Sequence, residues 1–423
     1  MNFYNLKHKE EQLNFKEATI KGQGKDKGLF FPEDISKFSN EFLQNLPNLS
    51  NEEIAFQVMK DFAGDEIPEA ELRKIVAETI AFEIPLKKVT ENISVLELFH
   101  GPTLAFKDVG ARFMSRCLGY FLKNETRKVT VLVATSGDTG GAVANGFYDV
   151  EGIEVVILYP KNRVSPVQEK QLTALGKNIH ALEVNGSFDD CQALVKQAFS
   201  DESLNEKLLL TSANSINVAR WLPQQIYYVL ALKQWLKNNS ENPVICVPSG
   251  NFGNICAGIL AHHRGLPVEH FIAACNVNDV VPEYLRTEIP QPKETVATIS
   301  NAMDVGDPSN FVRILELFEK EFNQVKNKLS GYTIDDEETL KTIERVEKDY
   351  GYVLDPHGAV AFVALEKYLA ENGGKGFFLE TAHPVKFPDS VEQATGKSVE
   401  IPKSLEELMK QEKFTTEINP QYE

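Results

Sequence analysis

The sequence has no Cys-x-x-Cys pair, no apolar run of bilayer length, no internal repeat and a deficit of basic residues. Its five cysteines, Cys117, Cys191, Cys246, Cys256 and Cys275, are odd in number and lie mostly in apolar segments. They read as reduced core thiols and not as a disulfide frame. No stretch reaches the roughly 20 apolar residues of a membrane span. Residues 1–8 have no apolar core of signal-peptide length, so a cytoplasmic protein is the simplest expectation. Lys and Arg number 44 against 61 Asp and Glu, a formal charge of −17. Such a chain is not expected to hold nucleic acid or an anionic membrane through its overall field. An anionic substrate would need a local cluster of cations and backbone N–H groups. The glycine loop at 249–254 has no Gly-Lys-Ser/Thr ending, so it is not a nucleoside-triphosphate P-loop. The absence of Gly-x-Gly-x-x-Gly with a following acid weakens a nicotinamide reading. His357 and His383 have apolar or proline neighbours and no His-x-x-x-His spacing, so no metal site is expected.

What is present is a large core and a repeated strand-then-helix pattern. At 423 residues and 42% hydrophobic content, the chain is long enough for two or three domains. Residues 1 to about 90 carry a charged helical pattern. Three continuous β-branched runs follow, at 129–134, 154–159 and 244–247, each leading into a helical segment. A further strand is expected at 375–380 and helices over 334–369. This alternation predicts open parallel sheets wound with helices, with ligands at the carboxyl ends of the strands. Residues 276–310 lack periodicity and carry several prolines, which reads as a mobile functional loop. The tail after Pro402 is charged.

Three segments carry the chemistry. In His100-Gly101-Pro102-Thr103-Leu104-Ala105-Phe106-Lys107-Asp108, a lysine follows an apolar Leu-Ala-Phe. Apolar surroundings disfavour the ammonium and make the amine a nucleophile for carbonyls. Pyridoxal phosphate is the commonest cofactor held that way. Alone, Lys107 reads as a surface lysine with its stem on apolar neighbours. The second segment, Ser249-Gly250-Asn251-Phe252-Gly253-Asn254, joins a strand to a helix and suits a phosphate, because a helix start points free N–H groups at an anion. The third, Thr135-Ser136-Gly137-Asp138-Thr139-Gly140, offers hydroxyls and N–H groups at another helix start. It reads either as ordinary N-capping or as a seat for a substrate carboxylate.

These segments, in this order and with a later Thr381-Ala382-His383-Pro384, resemble the threonine synthases. That family consists of pyridoxal-phosphate enzymes of the tryptophan-synthase-β type, fold type II. Further matches lie at 211–217, 275–279, 300–305 and 354–361, so the resemblance spans nearly the whole chain and is to the longer bacterial and fungal type. It implies two wound open sheets with an added N-terminal segment. It implies an N-terminal segment at 1–95, a large cofactor-binding domain from 96–112 and 216–423, and a smaller embedded α/β domain at 113–215. Lys107 would carry the cofactor as a Schiff base. Ser249, Gly250, Asn251, Phe252, Gly253 and Asn254 would hold its phosphate, and Thr381 the pyridine nitrogen. Asp138 would lie by the phenolic oxygen, where many relatives have asparagine, which leaves its protonation state open.

The implied substrate is O-phospho-L-homoserine, converted with water to L-threonine and phosphate by γ-elimination and β-addition. Thr135, Ser136, Thr139, Asn214, Ser215 and Arg220 would bind it. Arg220 stands out physically, because a lone cation in the apolar context Val218-Ala219-Arg220-Trp221-Leu222 is costly without an anion. Lys161, Arg163 and Ser165 form a second candidate patch, with Lys161 reading as solvated surface charge. His100 reads as a substrate contact or a packed histidine, the latter preferred. The alternatives are another fold-type-II reaction, such as serine or threonine dehydration or a related phospho-lyase, and a non-catalytic phosphate-binding regulator. No feature fixes the oligomeric state.

Overall fold

The β-branched runs all become strands, and their burial explains their composition. The computed structural model describes residues 1–123 and 128–422. In it, Val129–Ala134 is buried along its whole length between parallel neighbours on both edges. A strand covered on both faces has no polar side to show, hence the unbroken apolar run. Among the described residues, its sheet has five parallel strands in the order Thr415–Ile418, Ile179–Val184, Ile153–Pro160, Val129–Ala134 and Leu209–Thr211. A second sheet runs Leu329–Thr333, His270–Cys275, Val244–Pro248, Gly376–Glu380, Ile93–Glu97 and Leu86–Lys88. Only Leu86–Lys88, at its edge, is antiparallel. Helices cover both sheets, so the expected architecture of two wound open sheets is the one adopted.

Two expectations need correction. The N-terminal segment is not helical throughout: Gln12–Asn14, Asn2–Asn5 and Phe30–Pro32 form a small antiparallel sheet before the helices Asn51–Ala63 and Glu69–Thr79. Strands of three or four residues are too short to show a period. Residues 276–310 are not an untethered loop. They contain the helix Val280–Thr287 and a 3-10 turn at Asn301–Met303. Asn276 Nδ2 donates to Thr298 Oγ1 at 2.8 Å and Asp304 Oδ1 at 2.9 Å, and Asn278 Nδ2 donates to the Val296 carbonyl at 2.9 Å. His357 Nε2 accepts from the Ala302 N–H at 3.1 Å, which makes this segment a wall and not a lid. The charged tail forms the helix Lys403–Lys410 and then the edge strand Thr415–Ile418.

We propose the division 1–95, 96–112 with 216–423, and 113–215 for the structural units. One strand crosses it: Thr415–Ile418 pairs with Ile179–Val184 in the sheet of the middle unit. The site follows from the strand directions. Ala134, Pro248 and Glu380 end parallel strands, and the residues after them are Thr135, Ser249 and Thr381. All three lie at carboxyl edges, where open α/β sheets bind ligands.

Candidate active site

Lys107 opens the helix Lys107–Leu122, and a built turn presents it. Asp108, fully buried, accepts from the Thr103 N–H at 2.9 Å and from Thr103 Oγ1 at 2.6 Å. Leu104 takes a left-handed φ of 57°, which costs roughly 1–2 kcal/mol for a residue with a Cβ. Its side chain packs against Val167, Val385 and Leu405, which offsets that strain. The Phe106 N–H donates to the Thr381 carbonyl at 2.9 Å, and the His383 N–H to the Leu104 carbonyl at 3.0 Å. Lys107 and Thr381 are therefore tied through backbone, although 274 positions separate them in the chain. The Lys107 side chain is 16% exposed, and its amine makes no hydrogen bond among the described residues. Burial pushes that amine below its ordinary value; Asp138 opposes this, and the Lys386 and Arg220 charges add to it.

Asp138 begins the helix Asp138–Phe147 and lies 3.8 Å from the Lys107 amine through Oδ2. Its Oδ1 is 2.8 Å from Lys386 Nζ and accepts from Gln168 Nε2 at 2.9 Å. Burial alone would raise this carboxyl. The Lys386 ammonium, the nearer of its two lysines, outweighs it and holds Asp138 well below the usual carboxylate range. Gly137 has a φ of +136°, and a Cβ there would meet the Gln168 side chain at 2.5 Å. Glycine is needed at that bend. Thr135 Oγ1 accepts from the N–H groups of Gly137 and Gly140, both at 2.9 Å. Ser136 and Thr139 are half-buried, and their hydroxyls meet no protein partner among the described residues.

The second loop keeps its donors free. Among the described residues, the N–H groups of Gly250, Asn251, Phe252, Gly253 and Asn254 meet no protein acceptor at the start of the helix Gly253–His263. Asn254 Oδ1 accepts from Tyr227 at 2.8 Å and from Tyr228 at 2.7 Å, leaving its buried Nδ2 without a partner. The glycines answer first to the protein: a Cβ on Gly250 would lie 2.6 Å from Met303 Cα. The Asn251 side chain is also committed, donating to Ser215 Oγ at 2.7 Å and accepting from the Ser309 N–H at 2.7 Å. That bond brings the Asn214–Ser215 turn against the loop. Ser249 Oγ donates back to the Val247 carbonyl.

Arg220 completes the cluster. It is 4% exposed, its Nη1 donates to the Ala213 carbonyl at 2.7 Å, and its buried Nε has no acceptor. Burial lowers it to about 10. It packs on the lysine helix at Gly110, where a Cβ would sit 2.6 Å from the Arg220 carbonyl. Lys161 instead pairs with Glu417 at 2.7 Å, and Arg163 is exposed. Ser165 caps the helix Pro166–Thr173. His100 bonds Glu97 at 2.7 Å and packs at a tilt against the Phe99 ring. The five cysteines are free and buried.

Sequence reasoning missed Lys386, Gln168, Asp108, Asn310 and Arg313. Lys386 is fully buried and lies in the apolar context Pro384-Val385-Lys386-Phe387-Pro388, a local signal of the kind that singled out Arg220. Asp108 adjoins the lysine and needed only the question of what holds the Thr103 turn.

The chemistry these residues fit is that of a phosphorylated aldehyde. An amine without a hydrogen bond suits the carbonyl, a ring of unpaired N–H groups with Asn254 Nδ2 suits the phosphate, and the Thr381 hydroxyl, free among the described residues, suits a ring nitrogen. Pyridoxal-phosphate-dependent enzymes of fold type II are the class so defined, and the family pattern for pyridoxal-phosphate dependent enzymes matches residues 80–377. The fold alone is shared with a threonine deaminase from Solanum lycopersicum at 14% identity and a TM-score of 0.59, over 87% of this chain and 96% of that one.

The flanking regions narrow the class. Residues 2–80 match the threonine synthase N terminus and residues 358–423 the threonine synthase C-terminal region. Threonine synthase of Escherichia coli (strain K12) is 47% identical over 407 residues, covering 96% of this chain and 94% of that one. A crystal structure of the Escherichia coli enzyme superposes with a TM-score of 0.93 at 46% identity, covering 100% and 97% of the two chains. A threonine synthase structure from Brucella melitensis with pyridoxal phosphate bound gives 0.92 at 36% identity, again over 100% and 97%. The chain belongs to the threonine synthase family, and its cofactor is pyridoxal 5'-phosphate. Among the described residues, no helix is long and apolar enough to cross a membrane.

Proposed function

We propose that the chain converts O-phospho-L-homoserine and water to L-threonine and phosphate, with Lys107 as both cofactor anchor and proton carrier. The observation that carries this reading is the set of unspent donors around one unbonded amine: Arg220 Nε, Asn254 Nδ2 and the N–H groups of 250–254. Two anionic groups, the phosphates of cofactor and substrate, need two seats. The 249–254 loop supplies one. Arg220, with the Asn214 and Ser215 turn and Thr139, supplies the other.

Pyridoxal phosphate, when bound, supplies an electron sink for charge developing on the substrate carbons. The protein does the rest. Gly250 to Asn254 would hold the cofactor phosphate through backbone N–H groups and Asn254 Nδ2, while the Ser249 N–H is spent on the Ala274 carbonyl. Thr381 offers a hydroxyl to the ring nitrogen; unlike a carboxylate, it does not hold a proton there. Asp138, paired with Lys386, would lie on the phenolic-oxygen side of the ring. Thr135 holds the turn, and the N–H groups of Ser136, Asp138 and Thr139 face the substrate carboxylate. Lys107, uncharged, takes the α-proton and later returns one to the same carbon. Arg220 and Ser215 hold the phosphate as it leaves Cγ, where a guanidinium matches its oxygens in pairs. The anchored 276–310 wall keeps bulk water from the pocket, so that one water adds at Cβ.

Purified protein incubated with O-phospho-L-homoserine is expected to release threonine and phosphate in equal amounts. If 2-oxobutyrate is the main product, a dehydratase reading replaces this one. Lys107→Ala, with its fold intact by circular dichroism, is expected to lose at least about 1,000-fold in turnover and the absorbance band near the visible edge. A wild-type protein that stays colourless with pyridoxal phosphate would favour a non-catalytic regulator.

A further inference from the structure

One buried carboxylate faces two lysines. Lys386 Nζ is 2.8 Å from Asp138 Oδ1 and donates to the Thr103 carbonyl at 2.8 Å. Lys107 Nζ is 3.8 Å from Asp138 Oδ2 and has no hydrogen bond among the described residues. Lys386 is fully buried and Asp138 is 6% exposed. Two ammonium groups against one carboxylate would leave a net positive charge in this interior, which is costly. Arg220, itself without a carboxylate partner, adds a further positive charge nearby. The amine with two close acceptors keeps its proton, and the amine with none gives its proton up.

The groups that face Lys107 come from four elements. Asp138 lies at the start of its helix, Lys386 in the Pro384–Lys386 turn, Arg220 in the short helix Val218–Trp221, and Asp355 at the cap of the helix Pro356–Asn372. The two carboxylates favour an ammonium at Lys107; Lys386 and Arg220 oppose it. Of these, Asp138 is within ion-pair distance, so whatever occupies Asp138 decides the balance.

We propose that Lys386 is a positioning residue for Lys107: by engaging Asp138 and the Thr103 carbonyl, it occupies the carboxylate that would otherwise hold Lys107 as an ammonium. Lys107 is thereby left with its lone pair, which both attack on an aldehyde and removal of an α-proton require. The same pairing explains how a buried acid is tolerated at the start of this helix. The ammonium of Lys386 balances it. The value of this arrangement to catalysis rests on the reading of Lys107 as the cofactor lysine, but the contact does not.

The test uses the full-length chain stripped of cofactor. A brief pulse of acetic anhydride across about pH 6 to 11 labels lysines only as free amines, and mass spectrometry of the Lys107 peptide gives its midpoint. In the wild type the midpoint is expected below the ordinary lysine value of about 10.4. Lys386→Met is expected to raise it by about one unit or more, an approximately tenfold slower labelling at fixed pH. The double variant Lys386→Met/Asp138→Asn removes the whole ion pair and leaves no unpaired buried carboxylate. It should return the midpoint to the wild-type value or below. An unchanged midpoint in folded Lys386→Met overturns the proposal. So does a wild-type midpoint at or above about 10.4, a result that needs no variant. Borohydride reduction of the holoenzyme separately locates the cofactor. A pyridoxyl group on a lysine other than Lys107 would overturn the catalytic reading and leave the midpoints standing.

Discussion

Two buried arginines, Arg220 and Arg313, share residue type, burial and a value lowered to about 10 by desolvation. They differ in what their nitrogens touch. Arg313 is fully buried, stacks on Trp221 and spends every nitrogen. Its Nε and Nη2 donate to the Phe30 carbonyl, its Nη1 to Asn310 Oδ1 at 2.7 Å, and its Nη2 also to the Ile216 carbonyl at 2.7 Å. It staples the N-terminal segment to the Ser215 turn. Arg220 makes a single side-chain bond and keeps a buried Nε without an acceptor. Burial and a displaced pKa therefore do not separate a structural cation from a functional one. The count of unspent donors does, because a buried polar group left unpaired is costly unless something else pairs it.

The largest effect expected from this contrast is on stability. Arg313→Met leaves the carbonyls of Phe30 and Ile216 and the Asn310 side chain without a donor. Chemical denaturation is expected to show a loss on the order of 3–5 kcal/mol. A loss under about 1 kcal/mol, the range of an ordinary surface change, would break the comparison from the structural side.

Arg220→Met is expected to do the reverse. Removing a cation with no ion-pair partner among the described residues should leave stability unchanged or raise it. Meanwhile, kcat/KM toward O-phospho-L-homoserine should fall about 100-fold, roughly 2.7 kcal/mol of transition-state binding. Inhibition by inorganic phosphate should weaken in parallel. If Arg220→Met unfolds the chain as readily as Arg313→Met while kcat/KM in the folded fraction is unchanged, the two arginines are the same kind of residue after all.

The strands at 129–134, 154–159, 244–247 and 375–380 were legible because buried parallel strands are continuous and apolar, and a continuous run needs no partner to be recognised. The small N-terminal sheet was not, because three residues carry no period. The wall at 276–310 read as loose because its order comes from Asn276, Asn278, Thr298 and Asp304, polar side chains whose bonds connect positions about 20 to 30 apart. Lys107, Asp138 and Arg220 were visible as ionisable groups in apolar or glycine-rich contexts. Lys386 carries the same signal, an ionisable group between Pro384-Val385 and Phe387-Pro388, but its partners Thr103 and Asp138 lie far away in sequence, so its role could not be read locally. The glycines of 249–254 were singled out for the approach of a phosphate, and Gly250 answers also to a second need: it makes room for the backbone of Met303.

The comparison can be sharpened within a single side chain. Asn254 is half structural and half unspent: Oδ1 takes both Tyr227 and Tyr228 hydroxyls, while Nδ2 has no partner. Asn254→Asp keeps an oxygen for the two tyrosines and removes only the donors. The two hydroxyl bonds should keep denaturation within about 1 kcal/mol of the wild type, the usual range for a change that preserves its partners. An anion set beside the free N–H groups of 250–254 competes with a phosphate for them. The dissociation constant of pyridoxal phosphate, read by fluorescence titration of the apoprotein, should therefore rise about tenfold, roughly 1.4 kcal/mol. Pyridoxal without its phosphate should bind the variant and the wild type alike, because it does not use that seat. A variant that loses stability and leaves pyridoxal phosphate affinity untouched would show that the unpaired Nδ2 is not aimed at an anion. The rule drawn from the two arginines would then fail at the residue where it is most local.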